Sequence, residues 1–203
     1  MDLFSAFTDL ERIPLPGAEV YYQSSFDIGL PHDVILKRLI DEVPWRQEDV
    51  KFWGKTFKQP RLVAWFGDEG TAYRYSGIYL SPLPWTDILI DIKRRVEAVT
   101  KNKFNSVLLN YYRDNNDSMG MHSDDEKELG HNPTIASVSL GAERPLLLKS
   151  KRIPESRTIK IVLASGSLLI MKGETQHNYR HGIAKARQAI GPRVNLTFRT
   201  ILV

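Results

Sequence analysis

The second half of this sequence, from Asn105 onward, is a succession of short apolar segments separated by glycine, proline and charged residues, and no helix pattern interrupts it. Segments of this length bounded by turn residues are typical of β-strands. Evenly spaced short strands predict a β-sandwich or a jelly roll. The predicted strands are residues 106–112, 135–140, 145–149, 158–163, 167–171 and 194–202.

The first half contributes helices. Residues 31–43 and 84–100 are predicted to be helical, because each segment places its apolar residues on one face. Residues 20–26 are predicted to form a strand. Residues 1–18 are expected to be a loosely attached arm, since prolines block regular structure there. The remaining residues 19–203 are expected to form one α+β domain, mainly β, with the helices packed outside the sheet.

Two closely spaced residues suggest a metal site. His122 and Asp124 are two residues apart, so on an extended backbone both side chains point the same way. His177 can supply a second imidazole from a different strand. Two histidines and one carboxylate that leave coordination positions open are the ligand set of non-haem Fe(II) oxygenases. A His-x-Asp pair is also ordinary among polar loop residues, so the interpretation depends on a second feature.

That second feature is a pair of arginines in the last predicted strand. Arg193 and Arg199 are six residues apart, an even number, so both face one side of the strand. Two guanidiniums directed into a β core need anionic partners, because an unpaired buried charge is costly. A dicarboxylic acid would satisfy both, and the guanidinium fork suits carboxylates. Iron together with a dicarboxylate suggests 2-oxoglutarate.

Composition narrows the classes of protein that fit. The chain has no cysteine, which excludes disulfides, zinc–thiolate sites and thiol nucleophiles. A net charge of +4 permits a polyanionic partner such as nucleic acid. The apolar runs are too short to span a membrane, and the N-terminus lacks the pattern of a signal peptide, so an intracellular location is expected.

Residues 50–80 combine aromatic and basic side chains. One interpretation is a β layer that uses the aromatics as core. The other is a nucleic-acid lid, in which aromatics stack on bases and cations such as Lys55, Lys58, Arg61 and Arg74 hold phosphates. Trp53 favours the lid, because Trp53-Gly54-Lys55 is predicted to lie at a turn with little core to bury an indole.

Several further motifs follow one another in order. They are Asn110-Tyr111-Tyr112, His122-Ser123-Asp124-Asp125-Glu126, residues 135–141, residues 166–171 and residues 192–199, with Tyr73-Arg74-Tyr75-Ser76-Gly77 and Leu80-Ser81-Pro82 upstream. With these motifs, over about residues 20–203, the chain resembles the AlkB family of Fe(II)- and 2-oxoglutarate-dependent dealkylases, and within it the duplex-DNA repair branch. The resemblance implies a double-stranded β-helix, a jelly roll, in agreement with the predicted strands.

The resemblance also implies residue roles. It assigns the iron to His122, Asp124 and His177, the distal carboxylate of 2-oxoglutarate to Arg193, and the iron-proximal end to Arg199. The residues that it places around 2-oxoglutarate are Asn110, Tyr112, Arg193, Asn195, Thr197 and Arg199. The residues expected to contact the substrate are Trp53, Gly54, Lys55, Arg61, Tyr73, Arg74, Tyr75, Ser76, Asp125 and Glu126. Trp53 stands where the animal duplex-repair enzyme has a phenylalanine finger. His32, His131 and His181 are expected to be ordinary surface or hydrogen-bonding residues.

The implied activity is oxidative demethylation of 1-methyladenine and 3-methylcytosine in DNA. Fe(II), 2-oxoglutarate and dioxygen would be required, and succinate and formaldehyde would be released. Two alternatives stay open: the same chemistry on methylated RNA or a protein side chain, and a non-catalytic nucleic-acid-binding jelly roll. The expected protein is a monomer with no obligate protein partner and no membrane association, in a bacterial cytoplasm or, in a eukaryote, the nucleus.

Overall fold

The computed structural model describes residues 10–52, 54–71, 73–75, 78–80, 82–153 and 155–202, without the side chains of 51, 52, 73–75 and 78–80. The helices are α1 (His32–Glu42), α2 (Asp87–Thr100) and the one-turn α3 (Thr175–Asn178), with a short 3₁₀ turn at Lys127–Leu129. The strands of the first half are β1 (Glu11–Ile13), β2 (Glu19–Gln23), β3 (Asp49–Phe52), β4 (Lys55–Lys58), β5 (Leu62–Gly67), β6 (Tyr73–Tyr75) and β7 (Ile78–Leu80). Those of the second half are β8 (Ser106–Tyr112), β9 (Met119–His122), β10 (Ile135–Gly141), β11 (Arg144–Ser150), β12 (Ile159–Leu163), β13 (Ser167–Lys172), β14 (Tyr179–Ile183) and β15 (Arg193–Arg199).

Two antiparallel sheets form the framework. The large sheet has the strand order β1-β2-β13-β10-β15-β8-β5, and the small sheet has the order β12-β11-β14-β9. Two separate hairpins, β3–β4 and β6–β7, lie outside both sheets. This mainly β arrangement confirms the predicted jelly roll. None of the described helices has the length and apolar character that crossing a bilayer requires.

Strand β15 shows how the large sheet divides the interior. Val194, Leu196 and Phe198 belong to an apolar cluster that also contains buried residues of α1 and α2, so this face packs under the helices. The alternate residues of β15, beginning with Arg193, face the second cluster, which contains Leu146 and Leu148 of the small sheet. Along β15 the space between the two sheets is therefore lined by polar residues, and the site described below lies there.

The prediction agrees with the structure for helices and strands whose apolar pattern extends over many residues. Both predicted helices are present as α1 and α2, and each of the six predicted second-half strands has a counterpart. The prediction omitted β9, β14 and α3. These elements are short, and Met-Gly-Met-His and Tyr-Arg-His-Gly-Ile have few of the β-branched residues that mark strands.

The predicted loose arm is wrong for its described part, residues 10–18; residues 1–9 lie outside the described residues. β1 pairs with β2 at the edge of the large sheet. The Asn178 side-chain amide donates a hydrogen bond to the Gly17 carbonyl (2.6 Å), and the Tyr179 hydroxyl donates one to the Pro16 carbonyl (3.0 Å). This segment therefore holds the turn that leads into β14.

The aromatic and basic block is divided between the two interpretations. Phe66 of β5 is buried in the core, whereas β4 is exposed throughout and Phe57 is 51% exposed. Gly54 adopts a positive φ of 74° in the β3–β4 turn, as predicted for a turn there. Trp53 and Ser76 lie outside the described residues.

Replacing Leu109 with alanine should destabilise the fold. Leu109 is fully buried in β8, between β15 and β5, so the change should reduce the free energy of unfolding by about 2–5 kcal/mol through lost burial and a cavity. Val162→Ala, at a position 54% exposed on β12, should change it by less than about 0.5 kcal/mol. Urea denaturation followed by circular dichroism measures both. Equal losses in the two variants would contradict the assignment of the core.

Candidate metal centre and cosubstrate pocket

Three side chains from two strands of the small sheet form a compact cluster. His122 at the end of β9 pairs directly with His181 of β14, and their ring centroids are 4.3 Å apart. Asp124 follows β9 by two residues. Its carboxylate oxygens lie 3.9 Å from Nε2 of His122 and 3.6 Å from Nε2 of His181. One nitrogen or oxygen of each residue lies within 4.8 Å of the others, a separation that one metal ion can bridge.

The charges of the cluster suit a metal. Burial alone would raise the pKa of Asp124, but Arg199, through its charge and its hydrogen bond, together with His181 and His122, outweighs burial and the pKa is lowered. Burial lowers the pKa of His181 to about 4, against the opposing effect of Asp124. At neutral pH the pair is thus an ionised carboxylate and a neutral imidazole, the forms that bind metals.

Hydrogen bonds orient the ligand groups. The Arg199 guanidinium donates to Oδ1 of Asp124 (2.5 Å), and Oδ2 is buried with no hydrogen-bond partner among the described residues. Nδ1 of His122 lies 3.0 Å from the Gly120 carbonyl, which can only accept, so Nδ1 carries the proton and Nε2 is left as the ligand atom. Gln176, itself buried, accepts a hydrogen bond from the Asp124 amide (3.0 Å).

The assignment of His177 as a ligand is corrected by the structure. His177 lies in α3, where its neighbours Gln176 and Asn178 are buried and its own side chain is exposed. Its ring lies 5.2 Å from that of His131, outside the cluster. In the strand β14 that follows, Arg180 is exposed whereas Tyr179 and His181 are buried, so His181 points inward, opposite His122. The expectation that His181 is an ordinary residue is therefore wrong.

A row of polar side chains continues from the cluster along β15. As predicted from their spacing, Arg193 and Arg199 lie on one face, toward the small sheet. The register places Arg193 opposite Tyr112 and Asn195 opposite Asn110 of β8. The structure therefore brings the expected cosubstrate residues to one face of the large sheet: Asn110, Tyr112, Arg193, Asn195, Thr197 and Arg199.

Arg193 is the residue of this row with unused hydrogen-bonding groups. It is 1% exposed, and its Nη2 donates to the Ser139 hydroxyl (3.0 Å). Nε and Nη1 are buried with no hydrogen-bond partner among the described residues. Burial lowers the pKa of this guanidinium, and the charge of nearby Arg144 lowers it further, whereas Tyr112 raises it. An anionic ligand would satisfy these donors.

Two other residues of the row, Asn195 and Thr197, already have hydrogen-bond partners within the protein. The Asn195 amide donates to the Ser137 hydroxyl (2.7 Å) and to the Val138 carbonyl (3.0 Å). The Thr197 hydroxyl donates to Oδ1 of Asn195 (3.0 Å). These bonds fix both side chains beside Arg193.

Only some of the residues expected to contact the substrate lie next to the metal cluster. Asp125 is exposed and accepts a hydrogen bond from Lys151 (3.0 Å), and the half-buried Glu126 has one buried oxygen without a partner among the described residues. Gly54 and Lys55 lie in the exposed β3–β4 hairpin. Of Tyr73, Arg74 and Tyr75, the structure describes the backbone, as strand β6.

Two of the cations expected to hold phosphates have protein partners. Nε of Arg61 donates to Oδ1 of Asn110 (2.7 Å), so Arg61 joins the cosubstrate row and is not a free phosphate-binding residue. Lys58 forms an ion pair with Asp49 across the hairpin (2.8 Å).

Sequence reasoning assigned no role to Arg144, which is 1% exposed. Its guanidinium donates to the main-chain carbonyls of Asp114 (3.3 Å), Asp117 (3.0 Å) and Ala184. The signal was present in the sequence, because Arg144 occupies the same alternating face of β11 as the buried Leu146 and Leu148. A cation on that face predicts a buried charge.

Comparisons with known proteins agree with this geometry. A sequence model of the 2OG-Fe(II) oxygenase superfamily matches residues 31–199. Alpha-ketoglutarate-dependent dioxygenase alkB homolog 3 of Mus musculus is 44% identical over 182 residues, which cover 83% of this chain and 61% of that protein. DNA oxidative demethylase ALKBH2 of Bos taurus is 42% identical over 159 residues, 75% of this chain and 57% of that protein. The chain thus spans about three fifths of the length of these relatives.

Solved structures support the fold. The structure of OsALKBH1 aligns with a TM-score of 0.64 at 18% identity, over 95% of this chain and all of that one. An oxidoreductase of the 2OG-Fe(II) oxygenase family from Burkholderia pseudomallei aligns with a TM-score of 0.59 at 14% identity, over 89% of this chain and 84% of that one. The chain belongs to the 2OG-Fe(II) oxygenase superfamily and, within it, to the AlkB family.

Proposed function

We propose that this chain uses Fe(II), 2-oxoglutarate and dioxygen to remove methyl groups oxidatively from N-alkylated bases in DNA, such as 1-methyladenine and 3-methylcytosine. The observation that carries the proposal is the cluster of His122, Asp124 and His181 beside the unpartnered donors of Arg193. The relatives named as alpha-ketoglutarate-dependent dioxygenase and DNA oxidative demethylase support the reaction and the substrate.

The residues fit the iron that the family implies. Two imidazole nitrogens and one carboxylate oxygen converge, and the buried Oδ2 of Asp124 has no hydrogen-bond partner among the described residues. A set of two histidines and one carboxylate leaves the remaining coordination positions for exchangeable ligands. We assign the metal to His122, Asp124 and His181.

The polar row fits a dicarboxylate cosubstrate. We assign the distal carboxylate to Nε and Nη1 of Arg193, because these buried donors lack partners. Arg199 is already bonded to Asp124, so its role is to hold that carboxylate in place. Asn110, oriented by Arg61, completes the same face of the row.

When bound, iron, 2-oxoglutarate and dioxygen supply the oxidation of an N-methyl carbon, which then leaves as formaldehyde. The chain's own residues contribute orientation and electrostatics. Asp125 and Glu126 follow the metal ligand Asp124 directly, and because Asp125 is paired with Lys151, Glu126, which is unpaired among the described residues, supplies the negative charge beside the site. N-alkylated bases can carry positive charge, so this placement favours them over ordinary bases. Their weakened pairing also lowers the cost of extruding them from a duplex.

The nucleic acid would be held outside the two sheets. The β3–β4 hairpin presents an exposed aromatic residue, Phe57, and the exposed cation Lys55. Stacking on bases and attraction to phosphates are the two contacts that single strands require.

Metal affinity should separate His181 from His177. His181→Ala removes a metal ligand. Loss of a residue that only hydrogen-bonds to a ligand already lowers metal affinity by about 10–100-fold, so loss of the ligand itself should weaken Mn(II) binding by at least about 100-fold. His177→Ala, four residues away on the exposed face of α3, should leave the affinity within about twofold. Mn(II) titration followed by electron paramagnetic resonance measures both. A larger loss in His177→Ala would refute the assignment.

Turnover should depend on the methylated base. With Fe(II), 2-oxoglutarate and single- or double-stranded DNA carrying 1-methyladenine or 3-methylcytosine, we expect equal amounts of formaldehyde and succinate. His122→Ala should reduce both by at least about 100-fold, since one ligand is lost. The matched control is the same oligonucleotide without the methyl group.

RNA of the same sequence and lesion tests the polymer. Formaldehyde from RNA alone would reassign the substrate. The absence of turnover on every polymer, with 2-oxoglutarate still bound, would refute nucleobase demethylation.

A further inference from the structure

Arg144 is a buried cation that the reaction described above does not use. It stands at the start of β11, and its guanidinium donates to three main-chain carbonyls, those of Asp114, Asp117 and Ala184. Its Nε is buried without a hydrogen-bond partner among the described residues. Arg144 therefore ties the β8–β9 connection and the end of β14 to β11, around the polar row.

A second cation lies on the same aromatic ring. The guanidinium carbons of Arg144 and Arg193 lie 5.8 Å and 5.0 Å from the ring centroid of Tyr112. All three residues are 1% exposed. Two like charges thus share one buried region, which disfavours the ligand-free state because their repulsion is poorly screened there.

The buried carboxylate whose charge acts on Arg144, that of Asp117, is already engaged. Both oxygens of Asp117 accept hydrogen bonds from the Arg113 guanidinium, at 2.8 Å each. Among the described residues, neither Arg144 nor Arg193 donates a side-chain hydrogen bond to a carboxylate. The region therefore retains positive charge that an anion from outside the chain can balance.

We propose that Arg144 determines the selectivity of the pocket for a cosubstrate with a distal carboxylate. This proposal rests on the proposed function, in which Arg193 binds that carboxylate directly. Arg144 acts as a positioning residue: it supplies the second positive charge behind Tyr112 and holds the strands that frame the ring. A 2-oxo acid with a neutral distal end gains nothing from this charge.

Charge and hydrogen bonding can be separated by substitution. Arg144→Gln keeps an amide that can donate to the carbonyls but removes the charge, whereas Arg144→Lys keeps the charge. The matched control is Arg180→Gln, which removes one exposed positive charge from β14. Should Arg144→Gln fail to fold, Arg144→Met provides a second neutral variant that adds no polar group.

The measurement is calorimetric binding to the Mn(II)-loaded protein of 2-oxoglutarate and of its 5-amide, 2-oxoglutaramate. Arg144→Gln should weaken the binding of 2-oxoglutarate by about tenfold or more, which is the effect of one buried charge at moderate distance. The same substitution should weaken the binding of the 5-amide by less than about twofold. Arg144→Lys should restore most of the preference, and Arg180→Gln should leave both affinities unchanged. In turnover, KM for 2-oxoglutarate should rise with kcat nearly constant.

Two failures are distinguishable. Equal weakening of both ligands in Arg144→Gln would show that Arg144 only supports the fold, and would overturn this proposal while leaving the proposed function intact. Failure of the wild-type Mn(II) protein to bind 2-oxoglutarate would overturn the assigned cosubstrate, and the role of Arg144 with it.

Discussion

The pairing of β9 with β14 is the interaction on which the site depends. These two strands at one edge of the small sheet place His122 directly opposite His181. Directly paired residues of antiparallel strands have neighbouring side chains, so one backbone register is enough to bring two imidazoles together. A slip of one residue would turn His181 away from the interior. The turn before β14 is held by Asn178 and Tyr179, which bond the backbone of residues 16 and 17.

The space between the sheets is unusual for its concentration of buried charge. Asp124 is stabilised as a carboxylate by Arg199, which bonds Oδ1, and its second oxygen lies toward His181. Arg193 and Arg144 remain without a carboxylate partner among the described residues. A fold that buries such groups depends on a ligand to balance them, because the cost of an unpaired buried charge is larger than that of most other local defects. Affinity for a metal and affinity for a dicarboxylate thus have the same physical origin, the unbalanced charges buried between the sheets.

Much of the architecture followed from local patterns. The apolar periodicities of α1, α2 and the longer second-half strands predicted those elements, since each buries a continuous face of the core. The spacing of Arg193 and Arg199 predicted their shared face, because strand alternation is a property of the backbone. Arg61, by contrast, was expected at the phosphates and lies against Asn110. An arginine has a long reach, and its sequence position does not say which neighbouring strand it will meet.

The second histidine ligand illustrates the difference between what the sequence predicts and what requires the tertiary structure. The sequence by itself determined that the chain is a mainly β jelly roll, that His122 and Asp124 act together, and that the last strand directs two arginines inward. Each of these depends on alternation within a few residues. The choice between His177 and His181 was decided by tertiary structure alone. They are only four positions apart, and the one-turn helix α3 and the pairing of β14 with β9 turn the first to solvent and the second to the metal site. The closeness of Arg144 to Arg193 was decided in the same way, because it requires two sheets to close on one another, whereas the inward position of Arg144 follows from alternation along β11.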